Sequence, residues 1–253
     1  MNRQLLILDK ARVAGRVGVD DLAQDLGVSS HTIRRDINAL CATGKLRRLH
    51  GGAEFIEQAA NLPYAARSVL NVAAKRRIAA RVAALIPDGA TLFFSIGTTP
   101  ALVAAALSQR KGLTAITPNL NAAIALSDAP DARIILPGGE LRLPDRDILG
   151  PQALELFGKY RADVAIYGVG GIDPDGSLLD FDETEVAMRE TMRLNARQSI
   201  LVADVSKFGR PAAAVGGHLR DADHIVLDAH PDAGFATMLG NLPQAPLIAE
   251  VQA

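Results

Sequence analysis

Apolar positions in the first fifty residues recur with a helical period that restarts twice. "RQLLILDKARVAG" sets Leu5, Leu6, Leu8 and Val13 on one predicted face, ending near Gly15. "VDDLAQDLG" predicts a second short helix, with Asp20 as N-cap, Leu22, Ala23 and Leu26 inward, and Gly27 as the stop. In "GVSSHTIRRDINAL", Ile33, Ile37 and Leu40 fall at i, i+4 and i+7, one buried stripe on a third helix that Ser29 or Ser30 can cap. After Gly44 the pattern changes, and "KLRRLHGGAEFI" predicts two short strands around "HGG". Residues 54 to 70 show neither period, contain Pro63 and read as a linker. A helix with Ile78, Val82 and Leu85 on one face then stops at Pro87-Asp88-Gly89. Beyond it the apolar runs "ATLFFS", "LTAIT", "RIILPG", "ADVAIYGV", "SILVAD" and "HIVLD" alternate with amphipathic helices, the pattern of a buried and largely parallel sheet. The tail after about residue 240 carries no assignable element.

Three short helices, a tight turn and a basic hairpin make a winged helix-turn-helix. Its third helix keeps Ser29, His31, Thr32, Arg34, Arg35 and Asn38 off the buried stripe. Those donors suit phosphates and base edges in a major groove, and Arg47, Arg48 and His50 on the hairpin extend the set. Charge supports this. Residues 1 to 53 hold nine Lys/Arg against five Asp/Glu, whereas the remainder holds eighteen against twenty-three, so a basic head precedes an acidic body.

Ligands of open α/β sheets collect at the carboxyl ends of the strands. There the chain reads "SIGTTP", "TPNLN", "PGGELR", "GVGGID" and "ADVSKFG". Gly97 permits a sharp turn, Thr98 and Thr99 offer hydroxyls, and the following helix aims free N–H groups at the loop, a phosphate cradle without the Walker lysine spacing. Ser95, Asn119, Gly138, Gly139, Glu140, Arg142, Gly170, Gly171, Asp204 and Lys207 complete the candidate anion and hydroxyl site. Asp182 and Glu185, in the acidic run "DFDETEV", serve either as hydroxyl partners or as helix-start charges.

The length, 253 residues, suits two domains, drawn at 1–56 for the head, 57–73 for a linker and 74–253 for the α/β domain. One cysteine, Cys41, excludes an internal disulfide and any multi-cysteine metal cluster. Neither a signal peptide nor an apolar run long enough for a bilayer is present, so the expected compartment is the cytoplasm, with no cofactor, metal or membrane partner.

The motifs "VSSHTIRRDINAL", "LRRLHGGA", "IPDGATLFFSIGTT", "TPNLNAA", "LPGGELR", "GVGGID" and "ADVSKFGR" together resemble the DeoR-type bacterial transcriptional regulators, over residues 1 to about 232. The resemblance implies a winged-helix head and a Rossmann-like sensor of the fold shared with ribose-5-phosphate isomerase and CoA transferases. It implies a homo-oligomeric repressor, dimer or tetramer, on double-stranded operator DNA, released by a phosphorylated sugar or polyol. Ser95 and Ala187 depart from residues common in relatives, an aspartate and a basic side chain respectively. The competing expectation is an isomerase- or CoA-transferase-like enzyme with an added head, for which Glu140 or Asp173 would have to act as base.

Overall fold

The computed structural model describes residues 3–42, 46–49, 51–55 and 61–249. It divides into two units, Met1–Ala60 and Asn61–Ala253. The first contains α1 (Arg3–Ala14), β1 (Arg16–Gly18), α2 (Val19–Leu26), α3 (Ser30–Ala42), β2 (Leu46–Leu49) and β3 (Gly52–Phe55). Ile33, Ile37 and Leu40 are buried as their spacing predicts, in one core with Ile7, Ala11, Val19, Leu22, Leu46 and Ala53. Each large side chain so buried contributes roughly 1.5–3 kcal/mol.

Several local expectations shift. The buried line of α1 is Ile7 and Ala11, whereas Leu5 and Val13 are 55% and 90% exposed. The reason lies in α3: its buried Asp36 accepts from Arg3 Nε at 2.5 Å and Gln4 Nε2 at 3.4 Å, and this pulls the Arg3–Ile7–Ala11 face inward. Gly18, not Asp20, precedes α2; Asp20 instead accepts the Ser30 hydroxyl at 2.8 Å and ties α2 to α3. Gly27 ends α2 with φ +63°. β1, too short to show a period, joins the predicted hairpin in a sheet ordered β1-β3-β2. The β1–β3 approach is so close that a Cβ on Gly52 would lie 2.1 Å from the Val17 carbonyl oxygen.

The second unit starts earlier than the predicted linker allows. Asn61 to Leu70 form a strap containing α4 (Tyr64–Ser68), and α5 (Val72–Ala83) follows. Pro63 starts α4 rather than blocking helix, because its fixed φ suits a first turn. Leu62 and Tyr64 are buried, and Tyr64 N donates to Pro144 O at 2.7 Å. After these come β4 (Thr91–Phe94), α6 (Thr98–Ala106), β5 (Thr114–Ile116), α7 (Leu120–Ala125), β6 (Arg133–Ile135) and α8 (Pro151–Gly158). The chain continues through β7 (Ala162–Tyr167), β8 (Gly171–Ile172), β9 (Ser177–Asp180), α9 (Glu183–Leu194), β10 (Ala196–Ala203) and β11 (Ala214–His218). It closes with β12 (His224–Leu227), α10 (Ala236–Gly240) and β13 (Leu247–Ile248), the last an edge strand within the tail.

Among the described residues seven strands form a sheet ordered β13-β12-β10-β7-β4-β5-β6, every neighbour parallel. Alternate residues feed opposite faces. Leu92 and Phe94 join Ile78, Val82, Val103 and Ile166, while Phe93 joins Phe157, Met188 and Met192. The chain runs outward from β4 to β6, then returns to place β7 on the other side of β4. The strand order therefore reverses between β4 and β7, which is where an open α/β sheet leaves a crevice. A small antiparallel sheet, β11-β9-β8, was not foreseen from "GVGGID".

Candidate functional site

On the head, Ser29 Oγ accepts from Thr32 N at 3.2 Å and meets Thr32 Oγ1 at 2.9 Å, so Ser29 caps α3 and Thr32 steadies the cap. His31, Arg34, Arg35 and Asn38 are exposed on the face opposite the buried stripe. Neither arginine makes an ion pair among the described residues, which leaves both free for a polyanion. Arg48 is exposed on β2. His50 and the side chain of Arg47 lie outside what the structure describes.

In the second unit the loop after β4 sits at the switch point. Ser95 is buried; its N–H donates to Ile166 O at 2.9 Å and its Oγ accepts from Gly168 N at 3.3 Å. Gly97 has φ +106° and leads directly into α6, whose first residues, Thr98 and Thr99, are buried. Asn119 spends its amide on the Ser95 and Gly97 carbonyls at 3.1 and 2.9 Å, and its Oδ1 caps α7. It therefore shapes the loop.

Sequence reasoning did not reach the cations gathered around this loop. Lys75 Nζ donates to Thr98 Oγ1 at 3.0 Å and to Arg67 O at 2.7 Å. Arg210 donates to Gly170 O at 3.0 Å and Asn61 Oδ1 at 3.2 Å, with its guanidinium 4.8 Å over the Phe181 ring. Arg67 pairs with Asp145, yet its buried Nε has no hydrogen-bond partner among the described residues. Lys207 Nζ has no hydrogen-bond acceptor among the described residues. Burial and then the charge of Arg210 press Lys207 down to about 7, and Arg67 and Lys75 add to the repulsion. Burial lowers Lys75 to about 8, against the pull of Asp204. Asp204 itself accepts from Asn71 Nδ2 at 3.0 Å and Ser206 N at 3.1 Å. Lys75 was findable: with Ile78, Ala79 and Val82 it lies on the buried face of α5, where an apolar side chain is the norm.

The remaining candidates divide. Glu185 is buried and Arg142 bridges it, at 3.1 Å, to Asp147, bound at 2.7 and 3.0 Å. Asp182 is exposed and caps α9 through Thr184 N at 2.8 Å, the helix-start role. Gly170 and Gly171 are demanded by packing, since a Cβ on Gly171 would lie 1.8 Å from the Arg210 carbonyl oxygen. Gly138, Gly139 and Glu140 are exposed.

A winged helix-turn-helix followed in the chain by an α/β domain with cations gathered at a strand-end loop fits a class: DNA-binding transcriptional regulators that sense a small molecule. Residues 3–59 match the DeoR-like helix-turn-helix domain and residues 70–229 the DeoR C terminal sensor domain. The chain belongs to the DeoR family. It is 41% identical over 233 residues to the glycerol-3-phosphate regulon repressor of Escherichia coli K12, covering 92% of each chain. It is 40% identical to the protein of that name in Haemophilus influenzae Rd, covering 91% of this chain and 90% of the other, and 38% identical to the E. coli K12 repressor CsqR over 93% and 90%. Solved structures similar in part include ribose 5-phosphate isomerase A of Methanocaldococcus jannaschii, with a TM-score of 0.41, 16% identity and coverage of 55% and 56%. Another is eIF2B delta of Chaetomium thermophilum, with a TM-score of 0.46, 16% identity and coverage of 61% and 55%.

Proposed function

We propose that the chain represses a carbohydrate or polyol catabolic operon, and that a phosphorylated sugar or polyol in the strand-end crevice releases it, with glycerol-3-phosphate the leading effector. The names of its relatives support the operon class. The observation that carries the effector class is Lys207: a part-buried ammonium with no hydrogen-bond acceptor among the described residues, crowded by Arg67, Lys75 and Arg210, asks for an anion. The phosphoryl group would lie between Lys207 and the start of α6, against Thr98, Thr99 and the Gly97 backbone.

The strap that leads into this domain is held by members of the same cluster: Asn61 by Arg210, the Arg67 carbonyl by Lys75, and Asn71 by Asp204. An anion that engages Arg210 and Lys75 competes with the strap for its anchors. The head precedes that strap in the chain, so this competition supplies a route from effector to operator. A coupling of about 1–3 kcal/mol would lower operator affinity roughly 5–150-fold. The active form is a cytoplasmic homo-oligomer, dimer or tetramer, on paired operator half-sites. His31, Thr32, Arg34 and Asn38 would read bases, and Arg34, Arg35, Arg47 and Arg48 would draw in phosphates.

Among the described residues no helix is long and apolar enough to cross a membrane, and no side-chain group is arranged to hold a metal. An enzymatic reading would need Glu140 or Asp173 poised as base; Glu140 is exposed and Asp173 sits in the β8–β9 turn, its N–H donating to Ser177 O. The test compares wild type with Lys207→Met. Glycerol-3-phosphate is expected to raise the melting temperature of the wild type and dissociate its operator complex, and glycerol to do neither. Lys207→Met is expected to bind operator normally and ignore the ester. Normal induction of Lys207→Met would remove Lys207 from the site.

A further inference from the structure

Close to the cations lie buried carboxylates. Glu185, Asp147 and Asp180 are 6%, 1% and 7% exposed, and Asp145 lies beside them. One guanidinium, Arg142, serves two of these acids, taking both oxygens of Asp147 and only Oε1 of Glu185. Arg189 answers Asp180 at 3.0 Å, and Gly170 N donates to its other oxygen at 2.8 Å. Glu185 Oε2 is thus left without a hydrogen-bond partner among the described residues. Burial, and after it the charge of Asp180, raise the Glu185 carboxyl above its ordinary range.

The two ends of this crevice are neighbours. Arg67 acts electrostatically on Asp147, and Lys207 on Asp180. A ligand that puts an anion among the cations brings its other end within reach of these acids. Hydroxyls can donate to the open Glu185 oxygen. A carboxylate there would meet like charge in a poorly solvated place, which costs several kcal/mol.

We propose that the far end of the effector is neutral and hydroxylated, and that Glu185 is the specificity-determining residue that rejects phosphorylated carboxylates of the same length. This rests on the phosphate site described above and adds to it a rule about which phosphate esters enter. The rule separates metabolites that differ only in the oxidation state of one terminal carbon.

The test is calorimetric titration of the full chain at pH 7.5 with inorganic phosphate and two matched pairs of esters. The pairs are glycerol-3-phosphate with 3-phosphoglycerate, and glucose-6-phosphate with 6-phosphogluconate. In at least one pair the hydroxylated member is expected to bind about tenfold or more tightly than its carboxylate, one decade per 1.4 kcal/mol. Glu185→Gln is expected to shrink that ratio to within about threefold by admitting the carboxylate, whereas Glu185→Asp, which keeps the charge, retains most of it. Equal binding within both pairs, preference for a carboxylate, esters no tighter than phosphate, or a ratio unmoved in Glu185→Gln overturns the proposal. Failure of phosphate and of every ester alike overturns the anion-site reading and the proposal with it.

Discussion

Lys207 and Lys75 hold their protons weakly because each is desolvated and each faces other cations. At neutral pH Lys207 is therefore partly deprotonated, while Lys75 keeps most of its proton. A bound phosphate dianion favours the charged ammonium, so the complex holds more protons than the free protein, and binding takes protons up. Affinity is then expected to fall as pH rises from about 7 past about 8, through the two lowered values. Below about 6 the ester loses its own second charge, so binding should be tightest between these limits. Calorimetry at pH 7.5 in buffers of different ionisation enthalpy measures the uptake; zero net proton transfer would remove the lysines from the contact. The turn at Gly97, the helix start at Thr98 and Thr99 and the lysine after Asp204 were legible, because a glycine turn, hydroxyls and a lone lysine at a strand end are a local pattern. Arg67, Lys75 and Arg210 were not: their meaning lies in mutual approach across the fold, up to about 140 residues apart in sequence. Asp182 was legible only as a choice, and the structure gives it to the helix start.

At the scale of elements, periodicity located α2, α3, the hairpin and the strands of the parallel sheet. It failed where a single polar contact outweighs the pattern. α1 turned its Ile7 line inward because Arg3 reaches Asp36, and the presumed linker folded because Tyr64 and Leu62 find burial that no short window of sequence reveals. β1, three residues long, had no period to read. Its pairing depends on Gly52, so Gly52→Ala forces β1 away from β3. A loss of about 2 kcal/mol in the stability of the head is expected, read as a lower melting temperature and weaker operator binding, with effector titration of the α/β domain unchanged. An unaltered melting profile would show that β1 yields without cost.

For the whole molecule, division of labour was visible in charge before any coordinate: a basic head and an acidic body. The structure gives each its own core. Arg35→Ala is therefore expected to abolish the operator shift while leaving ester-induced thermal stabilisation intact, and equal loss of both would contradict separate sites. The strand order has one more consequence. The described elements of the head end at Phe55, whereas the residues proposed to release it, Glu185, Lys207 and Arg210, come far later in the chain. At roughly 5–20 residues per second a ribosome needs about ten to thirty seconds to cover that interval. During it each newborn polypeptide carries the head without the residues proposed to release it. A premature stop codon in the interval would leave the head without those residues, and any operator that such a fragment still held would no longer answer to the ester.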